Sequence, residues 1–172
     1  HYDMGEKLSR DFDEVIVVPA YVSPFKIGEM ELTGDERIAL VRQGFGNIPN
    51  VVVSDCELKA EGTSYSYLTA QRFARAGDEL YFAIGSDGLG GLTGWSHPEI
   101  LARLVTFYVV ERPYFPIKQS ELDCARRVYK VEVAPYEGKE GSSSLLKVAV
   151  AFDRAREVVP DFVADYIEKR GL

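Results

Sequence analysis

The sequence predicts an α/β fold: a doubly wound parallel sheet in three layers, with helices on both faces. Three observations predict it. Valine-rich strand-like runs alternate with helix-length segments along the chain, and parallel strands need such right-handed crossovers between them. Two of these runs, Leu80 to Ile84 and Val105 to Val110, are short and apolar, as strands buried in a sheet read. The first of them stops at Gly85, with Ser86 and Asp87 placed where a following helix would be capped. That makes one corner of an open sheet, and ligands bind such sheets outside the carboxyl ends of their strands. At the corner, Gly85 would let a ligand approach the backbone, and the Asp87 carboxylate could accept from a ribose hydroxyl. A capped turn with no ligand accounts for the same residues equally well.

The 172 residues suit a single domain covering 1–172, without repeat, low-complexity tract or linker. With 46% hydrophobic and 27% charged residues, the composition is that of a globular chain. A net charge of -7 argues against a nucleic-acid backbone as partner, yet leaves room for small phosphate ligands. No apolar run spans a membrane and no signal peptide opens the chain. Cys56 and Cys124 are far apart and outside any CxxC spacing, so neither a metal cluster nor a disulfide framework is expected, and a reduced cytoplasmic setting fits. The chain begins at His1 in a segment that already reads as helix. We therefore expect a strand and loop to precede it in the complete fold.

In chain order, Tyr2 to Arg10 is compatible with a helix that Gly5 weakens. Glu14 to Ala20 reads as a strand, followed by the proline-broken loop Tyr21 to Lys26, where Lys26 is either a phosphate-binding cation or a solvated lysine. Gly34 to Phe45 has helical spacing of Ile38, Ala39, Val41 and Phe45, with Arg37 and Arg42 on the other face. Asn50 to Ser54 is a second strand. Gly62 to Ser66 opens a helix running to Ala74; its hydroxyl-rich start either caps the helix or receives an anion. After the Gly85 corner, Pro98 at N1 begins a helix to Arg103. His97 beside it reads as a structural cap, and Trp95 as either packing or a stacking surface. Beyond the strand Val105 to Val110 come a short helix, Glu121 to Arg126, and a strand, Val128 to Ala134. Ser142, Ser143 and Ser144 stand at the mouth of a helix spanning Leu145 to Glu157, where they cap it or cradle phosphate, with Lys147 one turn in. Pro160 to Arg170 closes the chain as an amphipathic helix with Phe162, Val163, Tyr166 and Ile167 inward.

Several known chemistries are excluded by absent motifs. The sequence has no GxxxxGK[ST], no HExxH and no GxSxG, and its glycine-rich run puts Thr93 where a dinucleotide fingerprint needs its third glycine. What remains is chemistry done by positioning phosphates.

Seven collinear segments resemble the nicotinate-nucleotide adenylyltransferases of the HxGH nucleotidyltransferase superfamily. They are VIVVPAYVSPFK (Val15 to Lys26), GDERIALV (Gly34 to Val41), GTSYSYLT (Gly62 to Thr69), FAIGSDGLGGLTGW (Phe82 to Trp95), FYVVERP (Phe107 to Pro113), GSSSLLK (Gly141 to Lys147) and VPDFVADYI (Val159 to Ile167). The resemblance implies the Rossmann-like nucleotidyltransferase fold, here without its first strand and most of the HxGH loop. It implies transfer of AMP from ATP to nicotinate mononucleotide, or to nicotinamide mononucleotide, with release of pyrophosphate, in NAD biosynthesis. Mg²⁺ would arrive bound to ATP, and no covalent enzyme intermediate would form. A homo-oligomer is compatible with this reading. Two alternatives stay open: a related transferase with another acceptor, such as pantetheine phosphate, and a nucleotide-binding relative that is not an enzyme.

The resemblance also implies residue roles. His1 falls where the second histidine of HxGH would stand, and Lys26 matches the lysine of the family's PHK motif; both would act on phosphates during catalysis. Gly85 and Asp87 match GxD, which holds the adenosine ribose. Ser142, Ser143, Ser144 and Lys147 match the ISSTxIR phosphate site. Ser23, Thr63, Ser64, Trp95 and Arg112 match positions lining the pyridine nucleotide, with Trp95 stacked on its ring. The chain departs from the family pattern at Phe25, which replaces the histidine of PHK, at Gly141, which replaces isoleucine, and at Lys147, which replaces arginine.

Overall fold

Among the described residues, five parallel strands form the frame: β1 (Val15–Val17), β2 (Val51–Val53), β3 (Tyr81–Gly85), β4 (Thr106–Glu111) and β5 (Lys130–Glu137). The structure is a computed structural model, described here for residues 2–21, 32–139 and 159–170. Tyr2–Gly138 makes one compact unit and the segment from Lys139 belongs to a second. The strands divide into two hydrogen-bonded sheets, β1-β2 and β3-β4-β5, where the sequence predicts one. The α/β class holds, with every pairing parallel.

The central strand β4 is buried on both faces from Phe107 to Val110, which is why that run is wholly apolar, whereas β5 is mixed, with Val131 and Ala134 buried and Lys130, Glu132 and Glu137 exposed. Alternate residues of a strand point to opposite faces, and β4 divides accordingly. Phe107 and Val109 join Ile84, Leu89, Leu92, Leu101, Leu122 and Ala125 on one side. Tyr108 and Val110 join Leu8 and Ala134 on the other, with Met4, Phe12 and Val15 packed against them. Val15 thus brings the β1-β2 sheet to the larger one through side-chain packing.

Helices cover these faces. They are α1 (Tyr2–Asp11), α2 (Gly34–Phe45), α3 (Cys56–Ala60), α4 (Ser66–Phe73), α5 (Pro98–Leu104) and α6 (Gln119–Arg126). In α1, Gly5 is required rather than merely tolerated: a Cβ there would lie 2.4 Å from the Phe45 ring of α2. The carboxyl end of α1 is tied to the larger sheet, because Asp11 accepts from the phenols of Tyr108 (3.1 Å) and Tyr136 (2.8 Å). Burial, and then the bond to Asp11, raises the pKa of both phenols. Helix α2 opens on a capping box: Thr33 Oγ1 accepts from the Glu36 N–H, and the Glu36 carboxylate accepts from the Thr33 N–H.

Three differences from the sequence reading have local causes. Strand β1 stops at Val17 rather than Ala20, because its partner β2 offers only Val51–Val53 and Pro19 has no N–H to donate. Helix α3 is a single short turn that the spacing of apolar residues does not announce. The segment after Gly85 is a 3₁₀ helix, Ser86–Gly94, not an α-helix. Its buried residues Ser86, Leu89 and Leu92 recur every third position, the period at which 3₁₀ side chains eclipse.

In the second unit, α7 (Asp161–Arg170) carries Asp161 in its first turn and Lys169 and Arg170 in its last, matching its dipole. Phe162, Val163, Tyr166 and Ile167 are half-buried and Asp165 and Glu168 exposed, as the amphipathic pattern predicts. The predicted helix Leu145 to Glu157 lies outside the described residues. Among the described residues, no helix is long and apolar enough to cross a membrane.

Candidate functional site

The corner at Gly85 is built from two neighbouring strands of the larger sheet. Gly85 pairs with Val110 at the carboxyl ends of β3 and β4, so the residues that follow each strand meet at one rim. Asp87 comes from the first and Arg112 from the second, and they form an ion pair with Nη1 to Oδ2 at 2.8 Å. The structure supplies a specific reason for the glycine. A Cβ on Gly85 would lie 2.3 Å from Asp87 Oδ1 and 2.7 Å from Arg112 Cδ. Gly85 is therefore the floor beneath the pair, rather than only a point of backbone approach.

Ser86 knits the same corner together. Its buried hydroxyl donates to the Phe115 carbonyl (2.6 Å) and accepts from the Arg112 N–H (2.9 Å). The turn it holds runs from Arg112 to Phe115, closed by the Phe115 N–H on the Arg112 carbonyl at 3.0 Å. Pro113 takes the first central position and Tyr114, at φ 67°, the second. A left-handed second position is usually given to glycine. Ser86 was not among the candidates read from the sequence. Its signal was the three-residue period it shares with Leu89, Leu92 and Trp95.

A second group assembles around the start of α4. The Tyr67 ring lies 4.3 Å from the His97 ring, which brings the first turn of α4 beside the start of α5. Trp95 is half-buried, packed edge-on against Phe82 (5.6 Å) and Phe107 (5.7 Å). The packing alternative for this tryptophan is thus realised in the structure. His97 occupies the N-cap position of α5 at φ 55° but makes no capping bond with its side chain; its Nδ1 lies 3.1 Å from Glu99 instead.

The hydroxyls at the start of α4 do not cap it either. The N-cap is Tyr65, without a side-chain bond, and Ser64 Oγ accepts from the Tyr21 N–H at 2.9 Å. Thr63 and Ser64 border a cavity of about 260 Å³ shared with Cys56, Glu57, Leu68 and Arg72. Arg37, read from the sequence as an outward-facing residue of α2, instead turns its guanidinium onto the carbonyls of Ala20 and Tyr21. No feature of the sequence separates it from a solvated arginine.

Of the predicted site residues, Gly85, Asp87 and Arg112 come together at one rim; Thr63 and Ser64 share the cavity at the start of α4, and Trp95, packed on Phe82 and Phe107, is not among the residues that line it. His1, Ser23, Lys26, Ser142, Ser143, Ser144 and Lys147 lie outside the described residues. Among the described residues no three His, Cys, Asp or Glu side chains are grouped to hold a metal ion.

No family model matches the chain. A probable nicotinate-nucleotide adenylyltransferase of Opitutus terrae is 39% identical over 108 residues, which are 62% of this chain and 55% of that protein. The chain thus spans about half the length of that relative. A probable nicotinate-nucleotide adenylyltransferase of Roseiflexus sp. is 32% identical over 164 residues, covering 93% of this chain and 82% of the relative. Among solved structures, nicotinic acid mononucleotide adenylyltransferase of Plasmodium falciparum, complexed with NaAD, superposes with a TM-score of 0.74 at 20% identity, over 98% of this chain and 87% of that one. At that identity the superposition speaks for the fold.

Proposed function

The chain belongs to the nicotinate-nucleotide adenylyltransferase family, and from that premise we propose that it transfers the adenylyl group of ATP to nicotinate mononucleotide. An oxygen of the acceptor's phosphate attacks the α-phosphorus of ATP. The new P–O bond forms as the bond to the bridging oxygen breaks, and pyrophosphate leaves with the electron pair. The product is a pyridine dinucleotide for NAD synthesis. No side chain forms a bond to the transferred group, so catalysis consists of aligning two phosphates and stabilising the charge that shifts between them.

One observation supports this site above all: Asp87 and Arg112 pair across the carboxyl ends of two adjacent parallel strands, at 2.8 Å, over a glycine with no room for a side chain. In our reading, Asp87 exchanges part of that bond for the ribose hydroxyls of ATP, while Arg112 faces the acceptor. Thr63, Ser64 and Trp95 stand on the acceptor side, and the exposed part of Trp95 offers a surface to the pyridine ring. Ser23 joins them, and His1, Lys26, Ser142, Ser143, Ser144 and Lys147 serve the phosphates; these roles rest on the resemblance alone. Mg²⁺ enters with ATP, held through its phosphates as is usual for this ion.

Incubation with ATP, Mg²⁺ and one acceptor at a time tests the reading. Nicotinate mononucleotide should yield dinucleotide and pyrophosphate in equal amounts, at a kcat/KM at least about tenfold above nicotinamide mononucleotide. Turnover confined to pantetheine phosphate would replace the acceptor, and nucleotide binding without turnover on any acceptor would end the enzymatic reading.

A further inference from the structure

The dipeptide that follows β1 is held from two sides by residues distant in sequence. From α2, Arg37 donates through one terminal nitrogen to the Ala20 carbonyl and through the other to the Tyr21 carbonyl at 3.1 Å. From the segment before α4, Ser64 Oγ accepts the Tyr21 N–H at 2.9 Å. Three backbone groups of two consecutive residues are thereby fixed by side chains 16 to 43 positions away. A planar guanidinium reaches two neighbouring carbonyls at once, which the single point charge of a lysine does not reproduce.

The arrangement is costly. Arg37 Nε is buried without a hydrogen-bond partner among the described residues, and such a donor forfeits its water without replacement. Burial also lowers the Arg37 pKa, which is the direction expected when a cation leaves solvent. A solvated arginine would avoid both penalties. The position of the clamped residues offers a reason for accepting them. Ala20 and Tyr21 follow the carboxyl end of β1, on the side of the sheet where α/β proteins bind ligands, and Ser64 adjoins Thr63 on the acceptor side.

We propose that Arg37 and Ser64 are positioning residues: a two-sided clamp on Ala20–Tyr21 that sets the affinity for the acceptor mononucleotide without touching it. The inference rests on the acceptor reading above and refines it, because the Ser64 oxygen is committed to Tyr21. It acts on the substrate through the loop that it holds.

The test uses Arg37→Lys, Ser64→Ala, their combination and Ser64→Thr, with two independent readouts. The first is hydrogen–deuterium exchange at the Tyr21 amide, which needs no catalysis. Ser64→Ala should accelerate it at least about tenfold, as loss of one hydrogen bond allows, and Ser64→Thr should restore it. The second is steady-state kinetics. Each single variant should raise the KM for the acceptor about tenfold, with kcat and the KM for ATP within about twofold, the signature of lost uniform binding. The combined variant should cost little more than the worse single one, because either change releases the same dipeptide. Unchanged Tyr21 exchange in Ser64→Ala would overturn the clamp, whatever the kinetics. Faster exchange with an unaltered acceptor KM, or a combined effect equal to the product of the single ones, would overturn its role in binding. Absence of turnover in the unmodified protein would strike the adenylyltransferase reading, while exchange still decides whether the clamp exists.

Discussion

Gly85→Ala is expected to reduce adenylyl transfer about a hundredfold while leaving the protein folded. The added methyl carbon would lie 2.3 Å from Asp87 Oδ1 and 2.7 Å from Arg112 Cδ, both far closer than atoms approach in a packed structure. Something must move, and the backbone is the least able to do so. Gly85 sits in a parallel ladder with Val110, and Ser86 after it is anchored by two hydrogen bonds of 2.6 and 2.9 Å. The two offending atoms belong instead to partly exposed side chains at the rim, which can swing toward solvent. The strain is therefore relieved by dispersing the Asp87–Arg112 pair, at a stability cost toward the low end of the roughly 1–3 kcal/mol range for overpacking. Thermal unfolding checks the modest loss of stability, and initial rates check the large loss of activity. A variant that kept its activity would mean that the pair plays no part in the reaction.

Asp87→Asn separates the two duties of that carboxylate. The substitution preserves shape and removes charge, so Arg112 loses its ionic partner and a ribose hydroxyl loses its strongest acceptor. Ion pairs this open to solvent are worth about 0–1 kcal/mol, and the unfolding temperature should barely shift. Hydrogen bonds to charged groups are worth about 1.5–3 kcal/mol, so kcat/KM for ATP should fall about ten- to a hundredfold. The acceptor KM should change much less, because Asp87 faces it only through Arg112. Equal losses for the two substrates would show that Asp87 serves only to hold Arg112 in place.

Much of the fold was legible because its elements obey local rules. Helix α2 begins at Gly34 and ends at Phe45, as its apolar spacing predicts, with the Thr33 and Glu36 capping box at its start. The apolar run from Leu80 reads as a buried strand because both faces of the larger sheet are covered. What the sequence misread depends on partners. The length of β1 is set by three valines in β2 rather than by its own seven apolar-rich residues. The division into two sheets reflects the absence of a ladder between β1 and β3, which no local pattern encodes.

The candidate site shows the same split. Gly85, Asp87 and Arg112 are candidates on sequence alone, and they meet at one rim. The reason for the glycine was not visible, because it depends on Arg112, 27 positions further on. Ser86 reads in sequence as a helix cap and Arg37 as a residue of the polar face of α2, because a buried serine and a turned-in arginine look like solvated ones in sequence. Only their partners, the backbone of Arg112 and Phe115 in one case and of Ala20 and Tyr21 in the other, distinguish them. At Ser64, both readings offered by the sequence, a cap or an anion contact, overlooked the bond to Tyr21 that the fold creates.

A structure of the protein with its dinucleotide product bound is the most direct measurement of the central claim, that both substrates meet at the rim formed by β3 and β4. The adenosine ribose should lie within hydrogen-bond distance of the Asp87 carboxylate, with Arg112 turned toward the other nucleotide and the pyridine ring against Trp95. A dinucleotide bound elsewhere on the protein, with the Asp87–Arg112 pair closed and undisturbed, would contradict it.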